Sequence, residues 1–321
     1  MSKVTCFKMA ELEAFFQENS LPGTCTKSEN EAKEFIKYHK DTGNHVAFVT
    51  SGGTKVPLEG NTVRYIDNFS IGMRGAVSTE YFLQHGYAVI FLHRGRSLEP
   101  FTRHLQNLRL LDILEVNSIE HGSNSSVVVK SDYCPQVLNV LKTYQDVMKK
   151  RQLLMLEFNT LSEYLYLLKA CSLALSSLGN RALLYLAAAV SDFYIPKDKM
   201  PEHKIQSSEG PLQLSLELVP KMMAPLVMDW VPDAFVISFK LETDPSLLIS
   251  KSKQALDRYQ HQVVIGNLLD TRKREVVSVT KDQENWIRLT DKELSLGVEI
   301  ESKIVSEIVE KHKKFCSHDC P

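Results

Sequence analysis

Short apolar runs alternating with amphipathic stretches organise most of the chain. The runs His45–Thr50 (HVAFVT), Tyr87–Leu92, Leu153–Phe158, Ala182–Ala189, Ala234–Phe239, Gln262–Asn267 and Glu275–Thr280 are of strand length and rich in β-branched or aromatic residues. Most lack the polar alternation of a half-exposed strand, so they predict strands covered on both faces. Between them, apolar positions recur at helical spacing and predict helices over Ser70–Gln84, Gln136–Lys150, Leu161–Leu175, Pro220–Met228, Pro245–Tyr259 and Glu301–Lys313. Upstream, Ser28 and Glu31 have capping-box spacing before an Ala32, Phe35, Ile36 stripe that Gly43 would end, and Ser70 is expected to cap the helix it opens. The stretch from Arg94 to Ser125, including His121-Gly122-Ser123-Asn124-Ser125, carries no such period and predicts loop with short elements. The polar segment Tyr194–Gln213, with Pro196, Pro201 and Pro211, predicts a flap outside the sheet. The alternation as a whole predicts an α/β fold: a three-layer, Rossmann-like, mostly parallel sheet with helices on both faces and a flap and dimerisation subdomain. The expected organisation is an N-terminal helical extension (1–43), one α/β domain (44–315) with its flap at about 194–213, and a tail (316–321).

Composition narrows the class. At 321 residues, 43% hydrophobic and 24% charged, the chain is globular, not low-complexity. Lys+Arg 38 against Asp+Glu 39 leaves a formal charge of -1, with no chain-wide signal for nucleic acid or an anionic membrane. Cys6, Cys25, Cys134, Cys171, Cys316 and Cys320 are scattered, which points to a reducing compartment and a cytoplasmic setting that leaves nuclear presence open. Met1–Phe16 lacks a signal-peptide apolar region, Ala182–Val190 is too short to span a bilayer, and Cys320 stands too near the end for prenylation. Cys316-Ser317-His318-Asp319-Cys320 offers soft ligands without a second cluster at zinc spacing, so no protein metal site is expected.

In open α/β sheets ligands bind beyond the carboxyl ends of the strands, which gives weight to Ser51–Thr54, His93–Arg96, Ser191-Asp192, Lys240 and Asn267–Leu269. Two glycine clusters follow the first strand, one at Gly52 and Gly53, the other at Gly72 and Gly75 beside Ser70; a helix starting there could cradle a polyphosphate. Neither Walker A nor G-x-G-x-x-G spacing is present. A dinucleotide reductase would show similar alternation, but the second strand ends at His93-Arg94-Gly95-Arg96 instead of an acid, and no tyrosine has lysine four residues on. An NADP-dependent reductase and a non-catalytic nucleotide-binding protein stay as the alternatives. Asn68 could hold a carboxylate or phosphoryl oxygen, and Asp192 follows small residues, Ala187–Ala189, that would let a ligand lie against a strand end. Lys204, in the flap, could stabilise charge in phosphoryl transfer. Phe239 and Asn267, each expected to end a strand, suit packing and hydrogen bonding of a base.

With these residues in hand, the chain resembles the eukaryotic phosphopantothenate–cysteine ligases from about Val46 to Lys313. The resemblance is densest in VTSGGTKVPLE, DNFS-x-G-x-x-G, YLAAAVSDFY, MPEHKIQSS, SFKLETD and YQHQVV. It implies ATP-dependent joining of 4'-phosphopantothenate to L-cysteine through an acyl-adenylate, with Mg2+, in the second step from pantothenate to coenzyme A. It further implies ATP contacts from Gly52, Ser70, Gly72, Gly75, Phe239 and Asn267, and phosphopantothenate contacts from Asn68, Ala188, Ala189 and Asp192. Arg64 would reach that site from the other subunit of a homodimer, and Lys204 would match a catalytic flap lysine of bacterial relatives, which are richer in lysine here, where this chain has Gln206.

Overall fold

Eight strands pair into one central sheet in a computed structural model that describes residues 12–18, 23–118 and 125–318. They are β1 (Val46–Ser51), β2 (Ala88–Arg94), β3 (Leu153–Phe158), β4 (Ala182–Leu186), β5 (Phe235–Glu242), β6 (Val263–Leu268), β7 (Glu275–Val279) and β8 (Glu284–Arg288). Their spatial order is β8-β7-β6-β5-β4-β1-β2-β3. Every pairing from β3 to β6 is parallel, and only β7 and β8 join antiparallel. The chain therefore winds outward from β1 to β3, returns, and winds the other way from β4, which makes the β1/β4 boundary the topological switch point.

Both faces are covered, so the central strands are apolar throughout. Helices α1 (Gly23–Asp41) and α4 (Leu161–Leu175) pack on one face, around Phe48, Ile90 and Leu184. On the other, α2 (Met73–Gln84), α3 (Cys134–Lys149) and α6 (Ile300–His318) pack around Val49, Tyr185 and Ile265. Helix α5 (Pro245–Tyr259) covers Val264 and Val277. Two helix starts are set by side chains: Thr160 and Glu163 form a reciprocal capping box on α4, and Asp244 caps α5 ahead of Pro245. The expected layers and the boundaries of β3, α4 and α5 agree with this structure.

Several local expectations need correction. Helix α1 begins at Gly23, so Ser28 and Glu31 lie inside it and form no cap. The helix expected over Pro220–Met228 shrinks to a turn at Met223–Pro225, where Pro225 cannot continue the ladder, followed by π-helical Leu226–Trp230. In the stretch expected to be loop with short elements, Leu114–Ser118 pairs antiparallel with Ser125–Val129, which runs past the end of that stretch, and β8 adds a strand to those expected. The hydrophobic pattern marks neither, because neither buries a full face: β8 buries only Ile287, and Val116 and Val127 of the hairpin stay exposed. Strand β4 stops at Leu186, and β5 runs on to Glu242, so Phe239 and Lys240 lie within a strand instead of at its end. The flap is closed by a small ribbon pairing Phe193–Tyr194 with Glu217–Leu218. Cys6, Gly122 and Cys320, named above, lie outside the described residues.

Helix α6 also carries a buried histidine. His312 Nε2 can donate to the Asn180 carbonyl at 2.8 Å while its Nδ1 accepts from the Tyr87 hydroxyl at 2.7 Å, so both ring nitrogens of the neutral ring are satisfied. Burial pushes its pKa down to about 4, and burial does the same to His261. Their unfolded forms protonate near pH 6.5, so stability present above that pH is lost as pH falls toward 4. Urea denaturation across pH 7.5 to 4.5 should show this slope, and His312→Gln should reduce it by close to one proton.

Candidate active site

Beyond the carboxyl end of β1 the chain makes no ordinary turn. Ala189 N–H donates to the Gly52 carbonyl at 2.8 Å and Thr54 N–H to the Ala189 carbonyl at 3.0 Å, so the β1 and β4 backbones stay paired past the sheet. Thr side chains complete the stitching: Thr50 Oγ1 accepts from Ala188 N–H at 3.2 Å, and Thr54 Oγ1 from Ser191 N–H at 3.0 Å. Asn68 N–H then donates to the Thr54 carbonyl at 3.1 Å. Asn68, Ala188, Ala189 and the Ser191-Asp192 corner are thereby gathered at the switch point, as strand-end reasoning predicts.

The glycine loops meet on the α2 side. Gly72, at φ 83, is the N-terminal cap position of α2, and its carbonyl accepts from Ser51 Oγ at 3.0 Å. Ser70 is therefore not the helix cap; its Oγ accepts from Gly72 N–H at 3.4 Å, one step before the helix. A Cβ at Gly75 would lie 2.4 Å from Ser51 Oγ, so α2 can cross the end of β1 only at glycine. This arrangement aims the first N–H groups of a twelve-residue helix at the space beyond Gly52, which suits an anion. Phe239 and Asn267 share the sheet face that α2 covers, because Phe239 pairs with Ile265 and Leu241 with Asn267 in register. Phe239 packs edge-on against Tyr185 at 4.9 Å and is half-buried.

Charged groups at this end are paired with acids, several of them unforeseen. Arg94 holds Asp67, Lys221 meets Asp192, and Arg74 meets Glu301 at 2.8 Å. Arg64 contacts Glu59 at 2.7 Å through Nη1 and the Ile205 carbonyl at 3.1 Å through Nη2. Burial alone would raise the Glu59 carboxyl; the backbone N–H groups of Arg64 and Val63, together with the guanidinium, outweigh it and hold the carboxyl below its usual range. Gly60 and Asn61 N–H groups also donate to the carbonyls of Pro201 and Glu202, so the segment around Arg64 is zipped to the flap. Lys204 sits on that zipped edge with its side chain exposed. Among the described residues no hydrogen bond or ion pair ties its ammonium to Asn68, Asp192 or the glycine loops. No group of three or more His, Cys, Asp or Glu among them is placed to hold a metal. Strand-end reasoning gives weight to Arg94 but not to its pairing with Asp67, and nothing in the spacing of the sequence marked Arg74 or Lys221, whose partners are brought to them only by the fold.

Comparison with known proteins gives a family. Residues 169–314 match the model of the DNA/pantothenate metabolism flavoprotein C-terminal domain. The chain is 46% identical over 307 residues to the phosphopantothenate–cysteine ligase of Homo sapiens, covering 96% of this chain and 98% of that protein. It is 48% identical over 275 residues to the ligase of Mus musculus, covering 86% and 88%. The solved structure of a Cab2 mutant in complex with phosphopantothenate-cysteine superposes with a TM-score of 0.86 at 42% identity, over 96% of this chain and all of that one.

A Cβ at Gly53 would fall 1.8 Å from the Asn68 carbonyl oxygen, a backbone atom that cannot swing aside. Gly53→Ala should therefore cost about 1–3 kcal/mol in urea denaturation. Gly23→Ala, where nothing among the described residues lies within 4 Å, should leave the midpoint unchanged or raise it.

Proposed function

The chain belongs to the phosphopantothenate–cysteine ligase family, and from that premise we propose that it joins 4'-phosphopantothenate to L-cysteine at the expense of ATP. The observation that carries this reading is the stitched β1/β4 end, which holds Asn68, Ala188, Ala189 and Asp192 beside a glycine-lined helix N-terminus. One half of the site offers backbone N–H groups for phosphates; the other offers small side chains, an amide and a carboxylate for an extended polar substrate. A dinucleotide reductase is not favoured by any of these contacts.

In the proposed reaction a carboxylate oxygen of phosphopantothenate attacks the α-phosphorus of ATP, the bond to the bridging oxygen breaks, and pyrophosphate leaves. The cysteine amine then attacks the acyl-adenylate carbonyl, loses a proton, and expels AMP. Gly52, Ser70, Gly72 and Gly75 line the phosphate path, with Phe239 and Asn267 beside the base. Asn68 holds the reacting carboxylate, and Asp192 orients the pantothenate arm between Ala188 and Ala189. Lys204, carried by the flap, stabilises negative charge on the α-phosphate. Mg2+ is treated as part of the nucleotide substrate, where phosphate oxygens supply most of its ligands. Arg64 serves a site in a second subunit: Glu59 and the Ile205 carbonyl occupy part of a group with five N–H donors, and the side chain is 37% exposed. The proposed setting is the cytoplasm, as a homodimer, within the second step of coenzyme A synthesis from pantothenate.

Incubation with phosphopantothenate, cysteine, Mg2+ and ATP or CTP should release AMP or CMP in step with phosphopantothenoylcysteine. ADP as product would replace the adenylate with an acyl phosphate, and no turnover despite nucleotide binding would favour the silent alternative. In the same assay Lys204→Ala should lower kcat by about 10²-fold. Arg64→Ala and Asn68→Ala should each be inactive alone, yet regain activity when unfolded and refolded together, since each mixed dimer holds one intact site; mixed dimers without activity would place Arg64 elsewhere.

A further inference from the structure

The Asn267 carboxamide is gripped from three sides. Arg74, in the first turn of α2, donates through Nη2 to Asn267 Oδ1 at 3.2 Å and to the Arg272 carbonyl at 2.7 Å, while its Nη1 meets Glu301 at 2.8 Å. Asn267 Nδ2 donates to the carbonyls of Lys240 at 3.2 Å and Ile265 at 3.3 Å. Rotating the amide by half a turn would set its NH2 against a guanidinium and its oxygen against two carbonyls, so the surroundings select one orientation. In that orientation both amide hydrogens are committed, and the oxygen keeps one lone pair. Toward a ligand, Asn267 can accept a hydrogen bond and cannot donate one. The grip is itself anchored, because the Arg74 and Glu301 side chains are only 16% and 10% exposed.

We propose that Arg74 is a positioning residue for nucleotide specificity: by fixing Asn267 as an acceptor, it makes the site select a base bearing an exocyclic amino group and reject one with a keto oxygen in its place. The proposal rests on the reading of Asn267 as a nucleotide contact. Adenine and cytosine offer such an amine; hypoxanthine and uracil present an acceptor at the same position, which would face the Asn267 oxygen lone pair to lone pair. Phe239, on the same sheet face, supplies apolar surface near the base and does not distinguish the two classes.

The test measures kcat and KM for ATP against ITP, and CTP against UTP, in the unmodified enzyme, Asn267→Ala, Arg74→Met and Arg74→Lys. A double variant, Arg74→Met with Glu301→Leu, removes the ion pair without leaving a buried carboxylate alone, in case Arg74→Met does not fold. The unmodified enzyme should prefer ATP over ITP by at least about tenfold in kcat/KM. Arg74→Met or the double variant should raise the KM for ATP more than it lowers kcat and bring the ratio to within about threefold, with Arg74→Lys restoring part of it. If Asn267→Ala erases the preference while both Arg74→Met variants keep it, the positioning role is overturned and the nucleotide site stands. If Asn267→Ala leaves the ATP KM and the ratio untouched, the underlying reading of Asn267 is overturned. Equal use of ATP and ITP by the unmodified enzyme would also overturn the proposal.

Discussion

The arrangement at the strand ends depends on two crossings where a backbone passes its neighbour with no room for a methyl group. At Gly75 the axis of α2 is pressed onto Ser51, and at Gly53 the loop after β1 lies against the Asn68 carbonyl. The first crossing sets where the helix N–H groups point; the second sets how far Asn68 stands from the β4 end. Because Ser51 Oγ also donates to the Gly72 carbonyl, the serine that limits the approach of α2 also ties down its N-cap residue. A fixed Asn68 backbone and a positioned helix terminus thus follow from the same sheet edge.

The flap is positioned differently. It leaves the sheet after Asp192, returns at Val219, whose N–H donates to the Asp192 carbonyl at 2.9 Å, and is held along its far edge by the segment Gly60–Arg64. These are chiefly main-chain contacts, joined by the Arg64 guanidinium and an Asn61–His203 side-chain contact; Ile195 and Pro196 are buried, but most residues between, including Lys204, are exposed. Few buried apolar contacts hold this region, so its local opening costs less than that of the sheet. On the proposed reading Lys204 acts only when a substrate is present, and such an element suits that role.

Much of this could be read from the sequence, and what could not has a physical cause. The parallel core was legible because strands buried on both faces are apolar in every position, and α4 and α5 because their caps, Thr160 with Glu163 and Asp244 with Pro245, are local. Gly52 and Gly53 were legible as a strand-end loop because they follow β1 directly, whereas Asn68 and Asp192 stand farther from the sheet strands and reach the same edge through the β1/β4 stitching. The hairpin at 114–129 and β8 were not, since an exposed strand carries only half a pattern. Ser70 misled because a serine before a helix usually caps it, whereas here Gly72 adopts the left-handed conformation that starts α2. Arg74 was silent for another reason: its partners Asn267, Arg272 and Glu301 lie about two hundred residues away, and only the fold brings them together.

The near-zero net charge hides how cations are distributed at this end of the sheet. Arg64, Arg74, Arg94 and Lys221 gather there; Arg64 faces Glu59 of its own loop, and the others face acids from other segments, Glu301, Asp67 and Asp192. Composition counts such pairs as nothing, yet they differ in what they can do. The Arg74–Glu301 pair is shielded, and separating it would strand a carboxylate whose burial already raises its pKa, so it acts as a fixed strut. The Lys221–Asp192 pair is 50% and 66% exposed and so worth little, which on the proposed reading lets an incoming anionic group take Lys221 at small cost and free Asp192. On the proposed reading, burial therefore sorts the cations into those that shape the site and those that can answer a ligand, a division that charge counting along the chain has no means to detect.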